Sequence, residues 1–380
     1  AAAAGEIATD VRTLLPEERK QAALQILRNP ALTNIILNDL ATLGLVGEAD
    51  NALLLYLVAV SRKLNRPLSA ILRSESASGK SNLVDRIVEL LPEEDVLYVS
   101  RLSGNALFYM PPGSLQHRLL VVEERQGGEE SDYAVRILQS KGFLTTAVPL
   151  PPEEPGVMRT KLITVRGPVA YIETTTAPDI DPQNLNRCFE IHMDESPAQT
   201  ARIITERHRR RAATHEKTAR ETIIERHRDI QRLLLPVAVL IPFARHLSFP
   251  AGQVRFRRDH ERLLGLIDAS CLLHQHQRQW RTTPRGDKVI IADIADYEIA
   301  YRLSARALSL AVDELSANAR AAWEKIVTFK ATPFTRRQLM EALRWPYKKT
   351  YLALCELRHH DLLSHQPGTG NTAAQYAAYS

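Results

Sequence analysis

The sequence predicts an α/β fold, a parallel sheet covered by helices, and three observations support this. Short apolar runs that suit buried strands alternate with longer amphipathic segments that suit helices. The first strand, at residues 67–72, is followed by Ser74 and leads through Gly79-Lys80-Ser81 into an amphipathic segment. The third strand, at 119–122, is wholly apolar and ends in Glu123-Glu124. We expect such strand-end polar groups to meet at one edge of the sheet.

The elements are predicted in order from their periodicity. Residues 6–64 have helical spacing, and Asn51 is the expected N-cap of a helix that reaches Arg62. A helix at 82–91 follows the first strand, and later strands are predicted at 96–99, 119–122, 169–172 and 189–193. Residues 143–148 and 158–165 alternate like strands around a proline-rich stretch, which predicts a β-hairpin inserted at 142–168.

The C-terminal half is predicted to be mainly helical. A long charged helical stretch at 198–232 precedes helices at 258–280 and 293–315. Three further helical segments, at 319–329, 335–343 and 347–360, come before a glycine-containing turn, and this order predicts a winged helix.

The composition limits the classes of function. The 380 residues are 44% hydrophobic and 24% charged, and the net charge of +5 permits a polyanionic partner. Cys188, Cys271 and Cys355 are far apart, which predicts free thiols in a reducing compartment. No apolar stretch approaches the roughly 20 residues of a membrane helix. We therefore expect a cytoplasmic protein without a membrane partner.

The segment around Gly79 has the chemistry of a phosphate-binding loop. Such a loop needs inward-pointing backbone N–H groups, a lysine for the β- and γ-phosphates and a hydroxyl for Mg²⁺. Ser74 stands where the motif has its first glycine. The residues expected to bind ATP are Ser76, Ala77, Ser78, Gly79, Lys80, Ser81 and Asn82.

Further motifs suit hydrolysis of that nucleotide. Glu123 is expected to support Mg²⁺ with Ser81, and Glu124 to polarise the attacking water. A threonine of Thr174-Thr175-Thr176, with Thr175 preferred, is expected to sense the γ-phosphate. Arg187, just before the fifth strand, could reach a neighbouring subunit's site, and Arg258 could contact phosphate in its own subunit.

With these motifs in this order, the chain resembles the AAA+ helicases related to the minichromosome-maintenance motors, including replication proteins of bacterial mobile elements and phages. The resemblance spans roughly 65–315 and, more loosely, the winged helix. The residues that carry it are Ser76-Ala77-Ser78-Gly79-Lys80-Ser81, Val121-Val122-Glu123-Glu124, Glu173-Thr174-Thr175-Thr176, Asn186-Arg187-Cys188-Phe189 and Arg258-Asp259-His260-Glu261.

The resemblance implies a P-loop AAA+ core and an ATP-driven hexamer that grips single-stranded or forked DNA in a central channel during replication. The hairpin at 142–168 would line the channel. The chain departs from the family where Glu123 replaces an aspartate and Ala177 replaces the sensor asparagine. The expected domains are an N-terminal helical segment at 1–64, the nucleotide-binding core at 65–200, a helical lid and linker at 201–316, and the winged helix at 317–380.

Basic residues on exposed elements are the candidates for contact with DNA. A cation on an inward hairpin can follow a phosphate backbone without reading its sequence. In the winged helix, basic residues lie near Trp345 and Tyr347. The candidates are Lys141, Arg159 and Lys161 on the hairpin, and Arg336, Arg337, Lys348 and Lys349 in the winged helix.

Three other functions compete with a helicase. A replication initiator or loader would share the ATP site without unwinding DNA, and a small-molecule kinase would need a substrate pocket near the phosphate loop. A DNA-binding regulator with a degraded nucleotide site is the third, because Ser74 and Ala177 depart from the motifs. ATP turnover separates the regulator from the others.

Overall fold

The computed structural model describes residues 15–74, 79–124, 129–150, 159–176, 180–212, 217–249, 256–313, 316–329, 332–359, 362–366 and 374–378. The helices are α1 (Glu17–Leu27), α2 (Leu32–Thr42), α3 (Ala49–Val60), α4 (Lys80–Glu89), α5 (Glu129–Lys141), α6 (Pro182–Leu185), α7 (Pro197–Ala212), α8 (Lys217–Leu233), α9 (Phe256–Leu273), α10 (Ile294–Asp313), α11 (Ala317–Val327), α12 (Arg336–Leu343) and α13 (Tyr347–His359). The strands are β1 (Ser69–Arg73), β2 (Val96–Val99), β3 (Arg118–Val122), β4 (Phe143–Leu150), β5 (Arg159–Arg166), β6 (Val169–Thr175), β7 (Phe189–Ile191), β8 (Ala238–Leu240), β9 (Trp280–Thr282), β10 (Lys288–Ile291), β11 (Phe334–Thr335), β12 (Leu363–Gln366) and β13 (Gln375–Ala378).

The chain divides into two compact units. One unit comprises Ala1–Arg245 and Arg262–Ala300, and the other comprises His246–Glu261 and Tyr301–Ser380. Each unit has its own sheets and its own buried apolar side chains.

A five-stranded sheet organises the first unit. Its order is β2-β3-β6-β1-β7, and all four neighbouring pairs are parallel. Strand β6 is buried along its whole length, as expected for a central strand covered on both faces. Because the strands are parallel, the residues that follow β1, β3, β6 and β7 share one edge of the sheet.

Helix α3 forms much of the core of this unit. Every residue from Ala52 to Val60 is at most 4% exposed, and the helix packs on β1 and β6. A second group of buried side chains, which includes Leu120, Leu144 and Val165, joins β3 to the β4–β5 pair. The three N-terminal helices are therefore part of the same unit as the sheet.

Two local expectations from the sequence are wrong. Asn51 does not cap α3, because the helix begins at Ala49 after Glu48, which has a left-handed backbone with φ 59°. The Asn51 amide instead donates to the Glu48 carboxylate. The helix expected at 258–280 ends at Leu273, because residues 280–282 pair with β10 instead.

Two antiparallel arrangements accompany the main sheet. Strands β4 and β5 pair from Phe143 with Arg166 to Leu150 with Arg159. The tip of the expected hairpin, at 151–158, lies outside the described residues. A separate sheet of order β8-β10-β9 has β9 antiparallel to β10 at one edge.

The second unit contains a small three-helix domain with its own sheet. Helices α11, α12 and α13 pack on a sheet of order β11-β13-β12 around buried residues such as Ile326, Leu339 and Leu357. Thr335 starts α12 with a capping box, in which its hydroxyl accepts from the Gln338 N–H and the Gln338 side chain accepts from the Thr335 N–H.

Candidate functional site

The carboxyl edge of the five-stranded sheet brings the sequence motifs together. Ser74 follows β1, Glu123 and Glu124 follow β3, and Thr174 to Thr176 end or follow β6. Strand β6 lies between β3 and β1, so its threonines are placed between the two acids and the lysine loop. Residues 75–78, which hold the expected contacts Ser76, Ala77 and Ser78, lie outside the described residues.

Gly79 and Lys80 form the start of helix α4. Gly79 is the N-cap and has φ 101°, a conformation that a side chain would strain. Lys80 is 8% exposed, and its Nζ donates to the Ser74 carbonyl at 2.6 Å. Burial lowers the pKa of Lys80, and the charge of Glu195 partly offsets this. Ser81 and Asn82 are exposed in the first turn of α4.

Both acids after β3 are exposed to solvent. Glu123 accepts a hydrogen bond from the Ser100 hydroxyl at 3.1 Å, and its backbone N–H donates to Val99. The hydroxyl of Thr174 donates to the backbone carbonyl of Glu123. Thr174 and Thr175 are buried, whereas Thr176 is exposed. The structure thus links the end of β6 directly to the acid loop.

A third carboxylate adds to the negative charge near Glu123. Burial raises the pKa of Asp85 on α4, and the charge of Glu123 raises it further. The Tyr98 hydroxyl donates to Asp85 at 3.1 Å, and burial together with Asp85 raises the pKa of Tyr98. A cation beside Glu123 would relieve this repulsion.

A cavity of about 680 Å³ adjoins Gly79 and Asn82. Its volume lies within the range of small-molecule sites, roughly 300–1,000 Å³. Its walls contain both apolar and charged side chains. The Cε of Met193 is 3.8 Å from the position that a Cβ on Gly79 would take, so this side chain lies beside the start of α4. The apolar lining residues are Leu45, Val46, Met193, Ile203 and Ile204.

Hydrogen bonds connect the loop between α2 and α3, residues 43–48, to the residues that form the other wall of the cavity. The Glu48 carboxylate accepts from the Asp194 N–H at 2.6 Å, and the Gln199 amide donates to the Val46 carbonyl at 2.7 Å. Arg210 donates to the carbonyls of Thr42 and Leu43 at 2.8 and 3.2 Å. The cavity is therefore built by contacts between distant parts of the chain.

Comparison with known protein families identifies the kind of domain that contains these residues. Residues 16–236, more than half of the chain, match the MTBMA_p00010 P-loop domain. The chain belongs to this family. The matched region runs from α1 through the five-stranded sheet to the end of α8. The chain therefore contains a P-loop nucleotide-binding domain, and the cavity beside Gly79 lies within it. No curated protein is similar enough to match the chain.

Arg187 lies at the opposite edge of the sheet, ahead of β7. Its Nε donates to the Ser140 hydroxyl at 3.2 Å, and its Nη1 donates to the Gln183 carbonyl. Its role in a neighbouring subunit stays a prediction. Arg258 is exposed on α9 and belongs to the second unit, so its contact with phosphate also stays a prediction.

The basic candidates for DNA contact are at the surface wherever their side chains are described. In the first unit, Lys141 ends α5 and Lys161 lies on β5, and both are exposed. Arg159 pairs with Leu150 at the outer end of the β4–β5 pair. Leu162, which follows Lys161 on β5, is 69% exposed.

In the second unit, two of the other four candidates lie on α12 and two lie in the first turn of α13. Arg336 lies over the Tyr347 ring at 4.1 Å from its centroid, and Lys349 lies over the Trp345 ring at 4.2 Å. Arg337 forms an exposed ion pair with Glu341, and Lys348 is exposed. Cations and aromatic rings thus share one surface.

Sequence reasoning missed the residues that build the cavity. The sequence predicts Gly79, Asn82 and their neighbours at the site, but it predicts helical structure over the 43–48 loop. The one local signal was the pair Gly44 and Gly47 between two helices. An added Cβ on Gly47 would lie 2.7 Å from the Gln199 Oε1, so this glycine permits the close contact with α7.

The remaining findings concern other classes of site. Within the residues that the structure describes, no group of three or more His, Cys, Asp or Glu side chains could hold a metal ion. The three cysteines are free thiols. Among the described helices, each is too short or too polar to span a bilayer.

Proposed function

We propose that the chain is an ATP-hydrolysing motor that acts on DNA. One observation carries the proposal: the Gly79-Lys80-Ser81 helix start opens onto the 680 Å³ cavity with partly apolar walls. A triphosphate at the N-terminus of α4 would meet backbone N–H groups and Lys80. The nucleoside would then occupy the cavity between the 43–48 loop and α7.

The residues at the sheet edge fit Mg²⁺. The Ser81 hydroxyl and the Glu123 carboxylate are hard oxygen ligands, and both are exposed at that edge. Burial is the main cause of the raised pKa of Asp85, and the nearby charge of Glu123 adds to it, so a cation beside Glu123 would be favourable. When bound, Mg²⁺ supplies charge neutralisation for the phosphates.

The acidic, basic and hydroxyl residues of the site have separate roles in hydrolysis. Glu124 orients a water molecule for attack on the γ-phosphorus, and the bond from that phosphorus to the β,γ-bridging oxygen breaks. ADP leaves, the water oxygen becomes part of inorganic phosphate, and its proton passes to Glu124 or to the phosphate. Lys80 holds the β- and γ-phosphates, and a threonine of 174–176, with Thr175 as the expected one, senses the γ-phosphate.

The assembly and DNA roles extend this proposal. Arg187 acts in a neighbour's site within a ring, for which a hexamer is the expected size, and Arg258 contacts phosphate in its own subunit. The β4–β5 hairpin, with Lys141, Arg159 and Lys161, follows single-stranded or forked DNA during unwinding in replication. The small domain of the second unit acts as a winged helix, and its cation and ring pairs near Tyr347 support DNA contact there.

ATP hydrolysis with and without single-stranded DNA tests the proposal. Lys80→Ala and Glu124→Gln should each lower turnover by about 10²-fold or more, because each removes a group that acts on the transition state. Lys20→Ala, which removes an exposed ion pair with Glu17 on α1, is the matched control and should keep full activity.

DNA-stimulated turnover that disappears in both site variants would support the motor. Equal turnover in wild type and Lys80→Ala would refute the site. No turnover in wild type, together with retained DNA binding, would favour a DNA-binding regulator instead.

A further inference from the structure

The β9–β10 turn is a basic, solvent-exposed feature outside the P-loop match. It comprises residues 280–288, which carry Arg281, Arg285 and Lys288 against a single carboxylate, Asp287. All three cations are exposed, and within the described residues none of them forms an ion pair. Cations with no local partner are available for an external anion.

The turn is held in one conformation. The Thr283 N–H donates to the Asp287 backbone carbonyl at 2.8 Å, and the Gly286 N–H donates to the Thr283 backbone carbonyl at 2.9 Å. The Asp287 N–H donates to the Thr283 hydroxyl at 3.1 Å. Gly286 has φ 89°, which permits the tight return. The charged side chains therefore extend from a fixed scaffold, which lowers the entropic cost of binding.

An aromatic ring lies beside these cations. Trp280 is 42% exposed although its Nε1 donates to the Gln275 carbonyl at 3.2 Å, so the indole is oriented while much of its surface meets solvent. Trp280 pairs with Ile290 and Thr282 pairs with Lys288, which places Trp280 and Lys288 on the same face of the sheet. Arg281 points to the other face, and Arg285 lies at the tip.

The position of β9 makes this group accessible from the side. Strand β9 is the edge of the β8-β10-β9 sheet, and all three of its residues are exposed. A chain that passes across this edge can reach Arg281 on one face, Lys288 on the other and Arg285 at the end. Alternating negative charges and flat rings, spaced along a flexible chain, suit such an arrangement.

We propose that the β9–β10 turn binds a single-stranded polynucleotide, with Arg281, Arg285 and Lys288 on its phosphates and one base stacked on Trp280. Unpaired bases are required because a base inside a duplex does not offer its face to a side chain. This deepens the proposed function, since it adds a contact for the DNA, and it rests on that function only for the identity of the polynucleotide.

The charge contribution is tested by the salt dependence of binding. The probe is a fluorescein-labelled dT₂₀ oligonucleotide, titrated without ATP by fluorescence anisotropy at several salt concentrations. The triple variant Arg281→Ala, Arg285→Ala and Lys288→Ala should reduce the slope of log K against log salt by about 2, since each single-strand phosphate contact contributes about 0.7.

A matched control has the same loss of charge elsewhere on the first unit. Arg66→Ala, Arg209→Ala and Arg211→Ala remove three exposed cations from other elements and should leave the slope unchanged. An equal loss of slope in both triple variants would overturn the proposal in favour of net charge alone.

The stacking contact is tested with Trp280 as the sole tryptophan. The chain has three tryptophans, so Trp323→Phe with Trp345→Phe leaves Trp280 alone. Addition of dT₂₀ should quench its fluorescence, and Trp280→Ala should weaken binding about tenfold. No quenching, or equal binding of a 20-base-pair duplex, would overturn the stacking assignment.

ATP turnover without DNA separates this inference from the proposed function. The turn variants should hydrolyse ATP at the wild-type basal rate, because the turn does not line the nucleotide cavity. Unchanged DNA binding by every turn variant, with a changed oligomeric mass in gel filtration, would identify the turn as a subunit contact and overturn the proposal. If the wild-type protein shows no basal ATP turnover, the proposed motor is refuted, and the binding measurements still test the β9–β10 turn.

Discussion

Among single residues, Arg62 shows how the fold tolerates charge in its core. Its side chain is 0% exposed, yet it donates to Asp95 at 2.7 Å, to Gln231 at 2.8 Å and to the Ala59 carbonyl at 2.9 Å. A buried guanidinium is stable only when its N–H groups have such acceptors. Arg62 therefore ties the end of α3 to the turn before β2 and to α8.

The partner of Arg62 makes stability depend on pH. Burial opposes the ionisation of Asp95, but the charges of Arg62 and Lys63 outweigh it and hold the pKa of Asp95 below 3.8. A carboxyl with a lowered folded pKa stabilises the protein above its unfolded value, and this contribution is lost as the pH falls through the folded value.

Asp95→Asn should lower the free energy of unfolding by about 2–4 kcal/mol at pH 7, because Arg62 stays buried without its counter-charge. The difference from wild type should begin to shrink as the pH falls below 3.8, and it should disappear only as the pH passes through the lower pKa of folded Asp95. Urea unfolding at a series of pH values from 7 downward measures this change. Glu93→Gln, in a pair whose carboxylate is 81% exposed, is the control. A difference that stays constant with pH would contradict the assignment.

Among the elements, the loop at 43–48 contributes directly to the candidate site. It connects α2 to α3, forms one wall of the cavity and is held by Gln199 and Arg210 of α7. Gly44 has φ 108°, and an added Cβ would overlap the guanidinium of Arg210. An added side chain would therefore displace Arg210 from the Thr42 and Leu43 carbonyls, the hydrogen bonds that join the loop to α7.

Gly44→Ala should weaken nucleotide binding about tenfold, because ~1–2 kcal/mol of strain would separate the two walls. Titration with a fluorescent ATP analogue measures the change. Gly113→Ala is the matched control, since Gly113 also has a positive φ of 78° but its nearest neighbour would be 3.7 Å away. Equal affinity in the two variants would show that the wall spacing does not determine binding.

The predictability of each element follows from the range of its contacts. The strand expected at 119–122 corresponds to β3 (Arg118–Val122), because an apolar run bounded by polar residues defines its own ends. The cavity was missed because contacts such as that between Glu48 and Asp194 join residues 146 positions apart. No local pattern reports such a contact.

For the whole molecule, the proposed ring requires each site to borrow a residue from its neighbour. The chain carries Lys80 at one edge of the sheet and Arg187 at the other. In a closed ring with head-to-tail contacts, such opposite edges can meet across every interface. Each site would then combine the lysine of one subunit with the arginine of its neighbour.

Mixing two inactive variants should restore activity. Lys80→Ala and Arg187→Ala should each be inactive alone, whereas an equal mixture should regain roughly a quarter of wild-type turnover, because that fraction of random interfaces joins an intact lysine to an intact arginine. ATP hydrolysis of the mixture after subunit exchange is the measurement. If the mixture stays inactive while both variants assemble, Arg187 acts through its own chain, by its bonds to Ser140 and Gln183.

The burial of α3 from Ala52 to Val60 also constrains how this protein can evolve. A helix with an exposed face accepts many neutral substitutions, but from Ala52 to Val60 no position faces solvent. Each change there must preserve both volume and apolarity against the neighbouring strands and helices. The sequence of this segment should therefore change more slowly than the surface, so that distant members of the family keep apolar residues of similar size there after their surface residues have diverged.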